Sequence, residues 1–338
     1  MRTLKMPEKT NSAPQEILSV VKSAKNVLLI MDSRFDFDAL CSTLAFSDFL
    51  KQLSVKHTCI FGYDIPTKVK GRFDTSRITE NVNVQTYNYA PHDLIVFLDS
   101  GTVGHLVKTH DYVPPANIPS INIDHHAGNP HYGTYNYVKE TTSTSSALFD
   151  LFRAWHVDIT KAMANYLLAA IVTDSGLLQY SSTNQVELQK VIDLMNLGAD
   201  YHGFMRYLTQ NEAYEDMVVK GIIYANLVFD RQNKFAYSVL NQADIDKKQI
   251  KEFSVVPADV IKKLADTDFV FVIRTDPETP GSWYISLRSH NPEFDVLHIA
   301  QQLGGGGHKV AAGCSISFTQ AQTADEAVKV IIDLAKHT

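Results

Sequence analysis

Apolar runs that stop at aspartates constrain this chain more than any other feature. Asn26–Met31 leads to Asp32 and on to Asp36 and Asp38. Leu94–Leu98 leads to Asp99, and Ile118–Ile123 to Asp124-His125-His126. Tyr166–Thr173, inside a helix expected over roughly 160–173, leads to Asp174. Acidic residues that follow strand ends converge on one crevice of an open α/β sheet. Such a cluster cannot stay charged and unpaired, so its simplest complement is bound divalent metal. Metal-assisted hydrolysis of a phosphate ester, with two ions, is the chemistry that follows.

The 338 residues are long for one domain and comfortable for two. Hydrophobic residues at 45% can fill real cores, and charged residues at 20% leave an ordinary soluble surface. A net charge of −6 argues against a broad basic face for long duplex nucleic acid, yet leaves room for a short anionic substrate in a local pocket. Cys41, Cys59 and Cys314 have no metal-ligand spacing and are read as reduced, which suggests the cytoplasm. The opening MRTLKMPEKTNSAPQE lacks the apolar core of a signal peptide, and no apolar run reaches the ~20 residues that span a bilayer.

The expected fold class is α/β: an N-terminal parallel-sheet domain over 15–190, a helical linker over 191–215, and a smaller mixed α/β domain over 216–338. In the first part, short apolar strands alternate with helices near 39–53, 103–110, 143–155 and 160–173. That rhythm indicates a mostly parallel sheet covered on both faces. A helix over 184–196 and a second through about Tyr214 follow. Beyond them strands are expected at 220–229, 234–240, 268–275, 283–288 and 312–318. Helices are expected at 242–252, 256–264, 294–303 and 322–335.

Asp36-Phe37-Asp38 sits just before a helix whose N-terminus favours anions, and ordinary N-capping is the structural alternative. Asp99, before Ser100-Gly101, suits a ligand shared between two ions; capping is again the duller option. Adjacent His125 and His126 point differently, so one can bind metal while the other faces substrate and transfers a proton. Oxygen-rich coordination suits manganese, with magnesium as the second choice. Downstream, Gly304-Gly305-Gly306-Gly307-His308-Lys309 lets backbone approach an anion closely, with Arg288 as a bidentate phosphate candidate. A flexible surface turn is the alternative there. No Gly-Lys-Ser/Thr follows, so this is not a Walker A loop.

With these motifs in order, the chain resembles the DHH phosphoesterase superfamily, in its DHH–DHHA1 branch of oligoribonuclease and pAp-phosphatase proteins. Asp124-His125-His126 is similar to the signature that names the family. Gly304–His308 with Ala311-Ala312-Gly313 is similar to the signature of its second domain. Asp36-x-Asp38-Ala39-x-x-Ser42 and Thr173-Asp174-Ser175-Gly176 add to the likeness. The resemblance implies a two-manganese centre with Asp36, Asp38, Asp99, His125 and Asp174 as ligands, Asp99 being shared. It implies that His126 meets the scissile phosphate or assists the leaving oxygen. It also implies that Arg288, Gly305, Gly306, Gly307 and His308 bind substrate in a second domain that closes over the first.

The implied reaction is 3′-to-5′ cleavage of very short RNA to mononucleotides, with removal of the 3′-phosphate from pAp, by a homodimer. The family's first motif normally opens with His, whereas Asp32 holds that metal-ligand position here, with Arg34 close by in sequence. His105 stands where relatives often carry arginine. The rival readings are a phosphodiesterase of cyclic or linear dinucleotides and a catalytically weakened nucleotide-binding protein.

Overall fold

The computed structural model describes residues 10–32, 35–106, 112–276, 279–291 and 293–336. Arg34 and the His105 side chain lie outside the described residues. The chain divides into two compact units that change over between Leu208 and Thr209.

The first unit begins with α1 (Pro14–Ser23), β1 (Asn26–Met31), α2 (Phe37–Gln52), β2 (Lys56–Ile60), α3 (Thr67–Lys70), β3 (Ile78–Thr79) and β4 (Leu94–Leu98). It continues with β5 (Ser120–Asp124), β6 (Tyr135–Val138), α4 (Thr144–Ala154), α5 (Lys161–Asp174), α6 (Gln185–Asn196) and α7 (Tyr201–Thr209). All six strands are parallel in the order β3-β2-β1-β4-β5-β6. The chain lays down strands in one direction from β1 and then reverses from β4. A crevice therefore opens at the carboxyl ends of β1 and β4, where such sheets bind ligands.

Side-chain alternation explains the two faces. Val27, Leu29 and Met31 of β1 join a core with Leu40 and Leu44 of α2, Leu148 and Phe152 of α4, and Leu167 of α5. Leu28 and Ile30 face the other way, with Ile95, Phe97, Leu106 and Ile118. Of the helix expected over 103–110, Val103–Leu106 form a 3₁₀ turn, and residues 107–110 lie outside the described residues. The segment expected as a helical linker is a run of helices, α6 and α7 leading to a further helix at Tyr214–Ala225. Val191 and Leu194 of α6 and Phe204 of α7 are buried in the first core.

The second unit contains α8 (Tyr214–Ala225), β7 (Val228–Asp230), β8 (Phe235–Leu240), α9 (Gln242–Lys247), α10 (Pro257–Ile261), β9 (Phe269–Thr275) and β10 (Ser282–Ser289). It ends with α11 (Val296–Gln302), β11 (Gly306–His308), β12 (Ala311–Ser317) and α12 (Ala324–Ala335). Its sheet runs β11-β12-β10-β9-β8-β7 and is mixed, since β8 pairs parallel with β9 while the other pairs are antiparallel. One expectation fails here. The strand expected at 220–229 is mostly helix, because Val219 and Ile223 recur at a four-residue spacing and bury against Ala236 and Val270. The glycine run, for which a flexible surface turn is the alternative reading, passes from a turn at Gly304 into the edge strand Gly306–His308. At Gly307, with φ of 138°, an added Cβ would lie 2.5 Å from the Ala311 carbonyl.

Candidate metal centre

Each acidic residue of the first unit reaches the crevice by a different local device. Asp36 is the N-cap of α2 and accepts from Ala39 N at 2.7 Å, so the capping role is real. Burial, with the charge of Asp38 added, raises its pKa above the ordinary carboxylate value. Asp38, in the first turn of α2, is buried, and both its oxygens are gripped by the N-terminus of α4. Thr144 N donates at 2.6 Å and Ser145 N at 2.9 Å. A carboxylate against free helix N–H groups is a stable pairing.

Asp99 follows β4 in the left-handed region, with φ of 59°, a conformation aspartate tolerates better than most residues. It is buried and accepts from Thr144 Oγ1 at 2.9 Å. Burial and then the charges of Asp38, Asp36, Asp124 and Asp174 push its pKa well above the usual value. Asp174 is the last residue of α5, where the negative end of the helix dipole opposes a carboxylate. Burial first, and then Asp38, raise its pKa to about 6.

His125 joins these acids. Its Nε2 lies 3.3 Å from Asp174 Oδ2, 3.5 Å from Asp99 Oδ1 and 3.9 Å from Asp38 Oδ2. Its Nδ1 is 3.2 Å from the Thr141 carbonyl, which can only accept. That contact assigns the proton to Nδ1 and leaves the Nε2 lone pair facing three carboxylates. The remaining acceptor capacity of these carboxylates converges on His125 Nε2, and a set of oxygens plus one imidazole fits a divalent cation. The ligand-type atoms form two groups that share His125: Asp38, His125 and Asp174 in one, Asp99, His125 and His126 in the other.

His126 is set differently. Its Nδ1 is 2.8 Å from Asp124 Oδ1, and Asn129 Nδ2 holds the other Asp124 oxygen at 2.6 Å. Burial raises the Asp124 pKa, but the hydrogen bonds from His126 and Asn129 outweigh it and hold the acid below its ordinary value. The Asp124 hydrogen bond in turn raises the His126 pKa, against burial and with help from Asp174 and Asp32. Gly101 makes room for this ring: a Cβ there would come within 3.2 Å of His126 Cβ. The partner role of Asp124 and the contribution of Asn129 have no spacing signal that would have revealed them in the sequence. Asp32 is buried directly after β1. Neither Asp32 nor Asp36 belongs to the two ligand groups.

In the second unit, Arg288, Ala311 and His308 lie in one row across β10, β12 and β11. Ala312 and Leu287 turn into the core, so Arg288 and His308 share the opposite face, roughly 10 Å apart from the strand spacing. Arg288 is already paired: its Nε donates to Asp259 Oδ1 at 2.8 Å. A groove of about 370 Å³ lies along Gly304–Gly306, lined also by Tyr284, Gly313 and Ser315. Among the described residues no helix is long and apolar enough to cross a membrane.

Comparison with known proteins agrees with this architecture. Residues 26–171 match the DHH family, N-terminal domain, and residues 232–337 match the DHHA1 domain. A Streptococcus mutans protein described as a probable bifunctional oligoribonuclease and PAP phosphatase NrnA is 26% identical over 211 residues, covering 61% of this chain and 64% of its own length. A Thermus thermophilus bifunctional oligoribonuclease and PAP phosphatase NrnA is 24% identical over 247 residues, covering 70% of this chain and 69% of its own. The crystal structure of an exopolyphosphatase-related protein from Bacteroides fragilis shares the fold, with a TM-score of 0.79, 23% identity, and coverage of 96% of this chain and 95% of that one. With a parallel DHH sheet carrying two metal-ligand groups and a mixed DHHA1 sheet after it, the chain belongs to the DHH–DHHA1 superfamily and has the domain make-up of its metal-dependent phosphoesterases.

Proposed function

We propose that this protein is a manganese-dependent phosphoesterase that hydrolyses very short RNA from the 3′ end to mononucleotides and removes the 3′-phosphate of pAp. The observation that carries the reading is the bare Nε2 of His125 set among Asp38, Asp99 and Asp174. The substrate class is drawn from the Streptococcus and Thermus relatives, whose descriptions name oligoribonuclease and PAP phosphatase activity. Asp36, Asp38, Asp99, His125 and Asp174, with Asp32 beside them, would hold two ions. Divalent cations bound there would supply Lewis-acid polarisation of a phosphate and a lowered pKa for water. Oxygen donors with one imidazole favour manganese, and magnesium next.

The protein's own groups then have separable tasks. Asp99 would be the carboxylate shared between the two ions, as the family likeness implies, and Thr144 keeps it in place. Asp124 orients His126 through Nδ1, so Nε2 is the nitrogen that meets the phosphate and hands a proton to the leaving oxygen. In the second unit Gly305, Gly306, Gly307 and His308 would bind substrate, and Arg288 would do so by exchanging its Asp259 partner. The proposal includes a homodimer, as the family likeness implies, and a cytoplasmic location, from the three cysteines read as reduced.

The purified chain loaded with manganese should release mononucleotides from di- and trinucleotide RNA and phosphate from pAp. No release from either, across manganese, magnesium and cobalt, would end the proposal. His308→Ala should raise KM on the order of tenfold, the loss of one charge-assisted phosphate contact, while metal content by elemental analysis stays at the wild-type value. An unchanged KM would return the glycine run to a structural role.

A further inference from the structure

A buried ion-pair network lies behind the ligands, on a helix that carries none of the recognised motifs. Glu187 and Lys190 of α6 are both buried, with Nζ 3.1 Å from Glu187 Oε1. Glu187 accepts from the hydroxyls of Thr141 at 2.7 Å, Thr142 at 2.5 Å and Ser146 at 2.7 Å. Lys190 donates to Ser146 Oγ at 2.7 Å and to Asp150 at 3.0 Å, and Lys139 also pairs with Asp150. Burial alone would raise the Glu187 pKa, but the three hydroxyls and Lys190 hold it below the ordinary value.

The hydroxyls Glu187 binds belong to the two backbone pieces that touch the ligands. Thr141 offers its carbonyl to His125 Nδ1. The first turn of α4, which contains Ser146, presents Thr144 N and Ser145 N to Asp38 and Thr144 Oγ1 to Asp99. One acceptor-only carboxylate therefore ties together the loop that sets the His125 tautomer and the helix end that grips two acids. Tying that region to α6 by an apolar contact would leave the threonine and serine hydroxyls to rotate, and the backbone with them.

We propose that Glu187 is a positioning residue for the metal centre, acting through Thr141, Thr142 and Ser146 to hold His125, Asp38 and Asp99 at ligand geometry. This deepens the metal-dependent reading above and rests on it. Outer partners of metal ligands characteristically change affinity 10–100-fold when removed. An amide at this position would bring a donor to face hydroxyl donors and would strip Lys190 of its counter-charge.

The test uses the full chain stripped of metal, with manganese titrated calorimetrically and melting followed with and without the ion. Glu187→Gln should weaken manganese binding at least about tenfold and lose most of the metal-induced rise in Tm. Glu187→Asp, which keeps the charge, should recover part of that affinity. A merely structural residue would lower the metal-free and metal-loaded Tm equally and leave the dissociation constant alone. Should Glu187→Gln not fold, Thr142→Val removes a single donor and should still weaken manganese roughly three- to tenfold, the scale of one hydrogen bond. Wild-type affinity in both folded variants would overturn the positioning role and leave the metal centre standing. Absence of manganese binding by the wild type would instead remove the centre itself, and the positioning role with it.

Discussion

Asp99→Asn is expected to reduce turnover on the order of 10³-fold while leaving the protein folded. Asparagine keeps the shape and can still accept from Thr144 Oγ1, so the local packing survives. What it lacks is charge, at a buried position beside His125 and surrounded by Asp36, Asp38, Asp124 and Asp174. In the metal-free protein this replacement relieves repulsion, so the variant's metal-free Tm should equal or exceed that of wild type. Manganese stoichiometry should fall from two toward one. A variant with near-normal kcat and two bound ions would remove Asp99 from the centre. The combination of higher metal-free stability and lost turnover is what separates a ligand from a scaffold residue, since a scaffold residue would lose both.

Removing metal should abolish activity altogether, and the pH dependence of metal binding should carry the signature of the acids. Asp174 has a folded pKa of about 6, above the 3.8 of an ordinary aspartate, chiefly through burial, and Asp99 and Asp36 shift in the same direction. Each therefore binds its proton more tightly folded than unfolded. The stability this contributes is complete at low pH and is lost as pH rises through about 6. Metal-free protein should accordingly lose stability as pH rises from about 3.8 to about 6, the range that the Asp174 shift spans. Manganese supplies that partner and competes with the same protons. Saturating ion should raise Tm by about 5 °C or more at pH 7.5 and by little at pH 5. A metal-induced rise in Tm that is equal at both pH values would show that these carboxylates do not bind the ion.

Much of the crevice could be read before any coordinates, for a physical reason. A parallel strand buried on both faces is a short apolar run, and the first polar residue after it must lie at the strand's carboxyl end. Asp32, Asp99 and Asp124 could therefore be assigned to one edge of one sheet. The second unit was harder. The run from Lys220 to Phe229 is apolar without clear alternation, and helix and strand compete evenly for such a stretch until Val219 and Ile223 find Val270 across the core. Four glycines signal backbone freedom but not its use, and pairing with β12 drew Gly306 and Gly307 into an edge strand. Arg288 carries no sequence sign that Asp259, on a separate helix, would engage it.

By itself the sequence determined the α/β class and the two-part organisation and pointed to the acids and histidines of the crevice, because strand ends and a motif of adjacent residues are local properties. Only the tertiary structure decided which atom of each residue is available. The grip of Thr144 and Ser145 on Asp38, the Thr141 carbonyl that bares His125 Nε2, the Asp124 partner of His126 and the Glu187 tie behind them are contacts between segments distant in the chain. A hydrogen bond depends on positions within a few tenths of an ångström, which local propensity cannot encode, and packing of α4 and α6 against the sheet sets those positions.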